Sequence, residues 1–142
     1  MIPKFRAWIK TEKRMIETDD LLDIDYENEV VMTQRVYFEN GLPDDRDLDN
    51  FVFDEIKLMQ STEFRDECDK ELFEGDVIFW RYWDEFEDSG IAKIIFDKGM
   101  FKLLDIHTEK EVWDSLSDCI ENCNVYLQGN IHENPELLEE KE

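Results

Sequence analysis

Glycine, proline, histidine and cysteine are all scarce in this chain of 142 residues, and so is positive charge. Five scattered glycines leave no Gly-rich loop to cradle a phosphate. The three cysteines, Cys68, Cys119 and Cys123, are an odd number, which argues for reduced thiols rather than a disulfide framework. Cys119 and Cys123 lie four apart, a spacing that on a helix would turn both thiols the same way. A structural zinc needs four ligands, however, and neither His107 nor His132 stands in ligand spacing to the pair. No metal or cofactor is expected. No base is placed beside Cys68, so it reads as a buried or idle thiol rather than a nucleophile. The longest apolar run is a few residues, far short of the ~20 of a membrane-spanning helix. With no secretory leader at the start, a soluble cytoplasmic protein is the expectation.

Carboxylates are what the chain has in abundance. Against 16 Lys and Arg stand 38 Asp and Glu, a formal net charge of −22 and a sequence pI near 4.2. Such a surface repels phosphate backbones and anionic membranes and attracts basic proteins. The charge is uneven. Residues 1–16 carry five basic groups and one acidic, whereas residues 17–55 carry two basic and fourteen acidic. Carboxylates this plentiful give no specific acid/base pair, and catalysis is not expected.

Acidity does not mean disorder here, because 42% of the residues are hydrophobic and 13% aromatic, enough to build a core. One compact unit is expected, with an N-terminal β region over residues 1–60 and a small barrel-like region over 61–142. The local pattern predicts a mainly β fold. Lys4–Ile9, Leu22–Tyr26 and Val30–Phe38 alternate or are rich in β-branched and aromatic residues, and suggest an N-terminal antiparallel sheet. Segments Leu72–Trp80, Gly90–Phe96, Met100–Leu104, Val112–Trp113 and Val125–Ile131 suggest five short strands of a small closed or half-open barrel. In Glu74-Gly75-Asp76-Val77, glycine would permit the turn and Asp76 accept backbone N–H groups. Ser115–Cys123 can make one or two helical turns. Asn134-Pro135 opens a short C-terminal helix, with Asn as N-cap and Pro in the first position.

Two stretches are candidates for binding. The first is the aromatic run from Phe79 to Phe86. Trp80, Tyr82 and Trp83 could line a groove, and Asp84 and Glu85 would favour a cationic guest. The competing reading makes Phe79 and Trp83 core and the rest a solvated hairpin tip. The second stretch, Asn40–Asn50, has Gly41, Pro43 and a run of Asp. It reads as an exposed loop that offers Asp44, Asp45, Asp47 and Asp49 to a partner.

Four segments carry a family resemblance across almost the whole chain. They are Lys4-Phe5-Arg6-Ala7-Trp8, Leu58-Met59-Gln60-Ser61-Thr62, Leu72-Phe73-Glu74-Gly75-Asp76-Val77 and Gly129-Asn130-Ile131-His132-Glu133-Asn134-Pro135-Glu136-Leu137-Leu138. In order and spacing they resemble the YopX family of phage and prophage proteins. The chain departs from the family pattern where a Thr-Gly turn and an Asn-Gly are usual. Here Glu63 follows Thr62, and Cys68-Asp69 takes the Asn-Gly place. Neither Glu nor Cys takes positive φ cheaply, which weighs against tight turns there. The resemblance implies a mainly β fold and a phage accessory gene acting in the bacterial host cell, and no established activity.

The resulting expectation is a non-catalytic, acidic, protein-binding module with a basic protein as partner; a homo-oligomer is compatible with it. Two rivals stand beside it. One is a decoy that mimics nucleic acid, the other a direct nucleic-acid binder using the basic N-terminal strip. A folded chain of this mass exposes roughly 7,800 Å², so its net charge averages one per about 350 Å² against about one per 110 Å² on duplex DNA. Mimicry would need the carboxylates gathered on one face, and direct binding would set five cations against the field of the whole chain.

Overall fold

The alternating N-terminal segments form strands, as their side-chain period requires. The computed structural model describes residues 3–83 and 88–138. The chain divides into two compact units, Met1–Met59 and Gln60–Glu142. In the first, β1 (Phe5–Ile9) pairs antiparallel with β2 (Arg14–Ile16). A second sheet follows, with β4 (Val30–Glu39) between β3 (Leu21–Asp25) and β5 (Leu42–Val52). Next comes β6 (Ile56–Arg65), which begins in the first unit and ends in the second. Ala7, Ile9, Ile16, Val31, Phe51 and Ile56 make the core of the first unit, with Leu21, Ile24, Phe53 and Leu58 against it.

The second unit holds β7 (Glu71–Phe73), β8 (Asp76–Tyr82), β9 (Ser89–Asp97), β10 (Met100–Asp105), β11 (Glu111–Trp113), α1 (Leu116–Asn122) and β12 (Cys123–Asn130). Its five-stranded antiparallel sheet runs β11-β10-β9-β8-β12. With β11 and β12 at its edges this is the half-open form of the expected barrel. Leu72, Ile78, Trp80, Ala92, Ile94, Leu103, Leu116 and Val125 fill its core. Ser115 caps α1, its Oγ accepting from the Asp118 N–H at 3.4 Å. The C-terminal helix is a single 3-10 turn over Pro135–Leu138.

One expectation about the strands is overturned. Asn40–Asn50 is not a loop: only Asn40 and Gly41 turn the chain, and β5 pairs with β4 from Glu39↔Leu42 to Val30↔Val52. Asn40 (φ 53°) and Gly41 (φ 79°) both lie in the left-handed region, the signature of the tight hairpin turn that matches strand twist. Pro43 is accommodated because β5 is an edge strand.

The family-pattern segments prove to be turn chemistry. Gly75 sits at φ 89°, and Asp76 Oδ2 accepts from the Phe73 N–H at 2.7 Å, as the Glu-Gly-Asp-Val step implied. Thr62 Oγ1 donates to the Leu72 carbonyl at 2.7 Å and accepts from the Phe64 N–H at 3.1 Å, shaping an irregularity in the β6–β7 pairing. Gly129 has φ 150°, and a Cβ there would come within 2.5 Å of Asn134 Oδ1, the atom that accepts the Asn130 N–H. Asp66 accepts three backbone N–H groups, from Cys68, Lys70 and, across 61 residues, Leu127. Burial alone would push its carboxyl up, but these donors outweigh it and hold it below the ordinary value.

At the two departures from the family pattern the left-handed backbone is kept without glycine, at Glu63 as an irregularity within β6 and at Asp69 in the bend that follows it. Glu63 has φ 67° and Asp69 φ 63°; the conformation costs Glu63 about 1–2 kcal/mol and Asp69 less, since its short polar side chain is tolerated there. Glycine removes that strain and gives part of it back as lost chain entropy. Glu63→Gly should therefore raise stability by about 0.5–1 kcal/mol, and Asp69→Gly, which relieves less strain and loses an exposed ion pair with Arg65 at 3.8 Å, by less, both read as a urea midpoint at unchanged slope. A lower midpoint for both would show that these residues are held by interactions their backbones do not reveal.

Candidate functional site

The hairpin β4–β5 outreaches the sheet it belongs to. Strand β3 pairs with β4 only from Val30 to Thr33, whereas β5 follows β4 to Glu39. Beyond Thr33 the pair is a two-stranded ribbon, and every residue from Leu42 to Asn50 is exposed.

Directly opposed residues of an antiparallel pair share a face and alternate along each strand, so the register sorts the side chains. Tyr37↔Asp45, Arg35↔Asp47 and Thr33↔Asp49 share the face that at its root carries Val31↔Phe51, the core of the unit. Val36↔Arg46 and Gln34↔Leu48 share the other face. The register shifts between Tyr37 and Phe38, leaving Asp44 as the extra residue of a bulge. Past it, Phe38↔Pro43 falls on the face of Val36, and Glu39↔Leu42 on the face of Tyr37. One face thus gathers Glu39, Asp45, Asp47 and Asp49 around Arg35 and Tyr37, whose Oη donates to Asp47 Oδ2 at 2.8 Å, with the exposed Leu42 at its tip. The other gathers Val36, Phe38, Pro43 and Leu48 with Arg46, whose guanidinium donates to Gln34 Oε1 at 3.1 Å. Phe38 is 65% exposed and Leu48 52%.

Three of the four candidate aspartates are therefore brought together on one face, and Asp44 stands apart at the bulge beside a shallow hollow of about 420 Å³ lined by Val36, Pro43, Asp44, Asp45 and Arg46. The aromatic candidates behave otherwise. Trp80 is core at 8% exposure, and Tyr82 and Trp113 pack against the same cluster. The three ring centroids lie 5.7 to 6.0 Å from one another, contact packing that leaves no slot for a guest between them. Trp83 is 66% exposed and Phe79 half-buried, stacked on Tyr126, so neither is the core residue the competing reading made it. Asp84 and Glu85 lie outside the described residues.

Among the described residues no group of His, Cys, Asp and Glu is arranged to hold a metal ion. Cys119 and Cys123 are buried together, and burial pushes both thiols up, away from the reactive thiolate. Cys68 is exposed rather than buried. Of the basic N-terminal strip, Arg6 is buried with its guanidinium at 3.8 Å from Met59 Sδ, and Arg14 pairs with Glu12 at 3.1 Å. No helix among the described residues is long and apolar enough to cross a membrane.

If Trp80 is core and Trp83 solvated, their truncations separate sharply. Trp80→Ala should cost about 3–5 kcal/mol, as large-to-small changes in packed aromatic clusters do, and Trp83→Ala under about 0.5 kcal/mol. Chemical denaturation of the two variants checks this; equal losses would return Trp83 to the core.

Comparison with known proteins agrees with this architecture. The YopX protein family matches residues 4–139. Protein EF1440 from Enterococcus faecalis is similar in structure at a TM-score of 0.63 and 27% identity, over 98% of this chain and 99% of that one. Protein yopX from Bacillus subtilis is similar at 0.62 and 20%, over 96% and 98%. No curated protein matches the chain. With the match running through all four resembling segments, the chain belongs to the YopX protein family.

Proposed function

We propose that the chain is a non-catalytic binding protein that engages a basic protein through the acidic face of the β4–β5 ribbon. The setting we infer is the cytoplasm of a bacterium carrying a phage or prophage. The observation behind the reading is the sorting of Glu39, Asp45, Asp47 and Asp49 onto one side of a projecting strand pair. Successive carboxylates of β5 on that face are about 7 Å apart, two strand residues, close enough for their fields to add at physiological salt. Tyr37 in their midst offers the amphipathic contact that recognition surfaces favour. The aromatic cluster of β8 and β11 is packed upon itself, which leaves the ribbon as the better-presented surface.

A nucleic-acid decoy is less well supported on magnitude. Over the ~20 Å of ribbon that the four carboxylates occupy, a duplex carries about 12 charges. The ribbon face offers four, with Arg35 among them. Direct nucleic-acid binding is weaker still, with Arg6 buried and Arg14 paired.

Calorimetric titration with a Lys/Arg-rich peptide, at low and at physiological salt, tests the proposal. Binding should weaken steeply with salt, and joint replacement Asp45→Lys, Asp47→Lys and Asp49→Lys should weaken it by about tenfold or more. The same charge change placed at Asp114, Asp118 and Glu121 in the second unit controls for net charge. Equal losses in both variants would reduce the effect to overall charge and contradict a site on the ribbon. Salt-sensitive retention on duplex DNA would contradict the protein-binding reading outright.

A further inference from the structure

The apolar face of the same ribbon has no role in that proposal. Isolated two-stranded hairpins are marginal in water, and native sheets hide an apolar face against another layer. Here Val36, Phe38, Pro43 and Leu48 share one face, with Phe38 and Leu48 more than half exposed. We infer that this face packs against the same face of a second copy of the chain, about a two-fold axis.

Charge and shape choose that occupant. The strongly acidic protein carries Glu39, Asp47 and Asp49 on the opposite face, and beside the ribbon's apolar residues the charged groups are Arg46 with Asp44 and Asp45, which line the same hollow. A basic partner is drawn to the other side. Arg46 and Asp44, two residues apart, are self-complementary: under a two-fold axis the cation of one copy meets the anion of the other. Shape follows the same rule. Phe38 projects from the face that bears the hollow lined by Val36, Pro43, Asp44, Asp45 and Arg46, so each copy presents both a knob and a socket whose floor is apolar and whose rim is charged. The association is face to face, because the open edge of β5 is guarded by Asp44, Asp45, Asp47 and Asp49, which discourage strand addition.

Size sets the strength. The free ribbon, about 20 Å long and two strands wide, covers roughly 200 Å² per copy, so the pair buries about a quarter of a standard interface. The dimer is therefore weak and concentration-dependent. Its salt response is opposite to that of a basic partner: two chains of charge −22 repel, and screening that repulsion tightens the apolar contact.

Sedimentation of the full chain from about 1 to 500 µM, at about 0.05 and 0.5 M salt, reads this directly. A monomer–dimer equilibrium that shifts toward dimer at high salt is expected. Phe38→Thr and Leu48→Thr, each keeping a strand-forming residue at an exposed position, should shift it toward monomer by about tenfold in dissociation constant. Their melting temperatures at low concentration should match the parent, which separates loss of contact from loss of fold. A monomer throughout, or a dimer untouched by both variants, overturns the inference. A dimer that weakens with salt would place the contact on charged groups instead, and overturns it equally. None of these outcomes depends on whether the acidic face binds a basic peptide.

Discussion

Register in the β4–β5 hairpin is the constraint on which the candidate surface depends. It is set where Asn40 and Gly41, both at positive φ, leave Glu39 opposite Leu42. Because side chains alternate with period two, a slip of one residue would carry the aspartates to the apolar side and Leu48 to the acidic side. The root of the hairpin opposes such a slip: Val31 and Phe51 must both enter the core of the first unit. The bulge at Asp44 then brings Phe38 and Pro43 into line with Val36. A turn, a buried pair and a bulge together produce a ribbon with two chemically distinct faces.

Residues of the family pattern account for the fold rather than for a site. Gly75, Asp76, Thr62, Gly129, Asn130 and Asn134 close turns and satisfy backbone groups. Where this chain departs from the pattern, Glu63 and Asp69 hold the same backbone at a cost in strain. Functional chemistry is then sought in what these segments leave unexplained, and the ribbon between them is the largest such element. It carries much of the acidic charge of residues 17–55, which the core of the first unit does not need.

Much of this was legible in the residues. Alternation and β-branching located β1, β3, β4 and the five strands of the second unit's sheet, and Ser115 announced α1. Strand β5 was hidden because Leu42–Asn50 holds four aspartates and a proline, poor strand formers without apolar alternation, and pairs because β4 supplies a partner. The Asn-Gly dipeptide was the signal that could have found it. Trp80 and Trp83 were confused for another reason. Val77, Ile78, Phe79 and Trp80 are consecutive and apolar, so period two gives no parity, and only the pairing of β8 with β9 and β12 shows that Trp80 follows Ile78 inward. The two-faced character of the ribbon required the bulge, which nothing in the composition of Pro43-Asp44-Asp45 marks.

Amide hydrogen exchange along residues 30–52 tests the ribbon most directly. The account predicts that backbone amides bonded across the β4–β5 pairs, those of β5 between Leu42 and Val52 among them, exchange far more slowly than an unstructured chain, with protection weakest near Asn40-Gly41. Exchange of residues 42–50 at unstructured rates, while β4 stays protected through Thr33, would contradict it and return this segment to a loop.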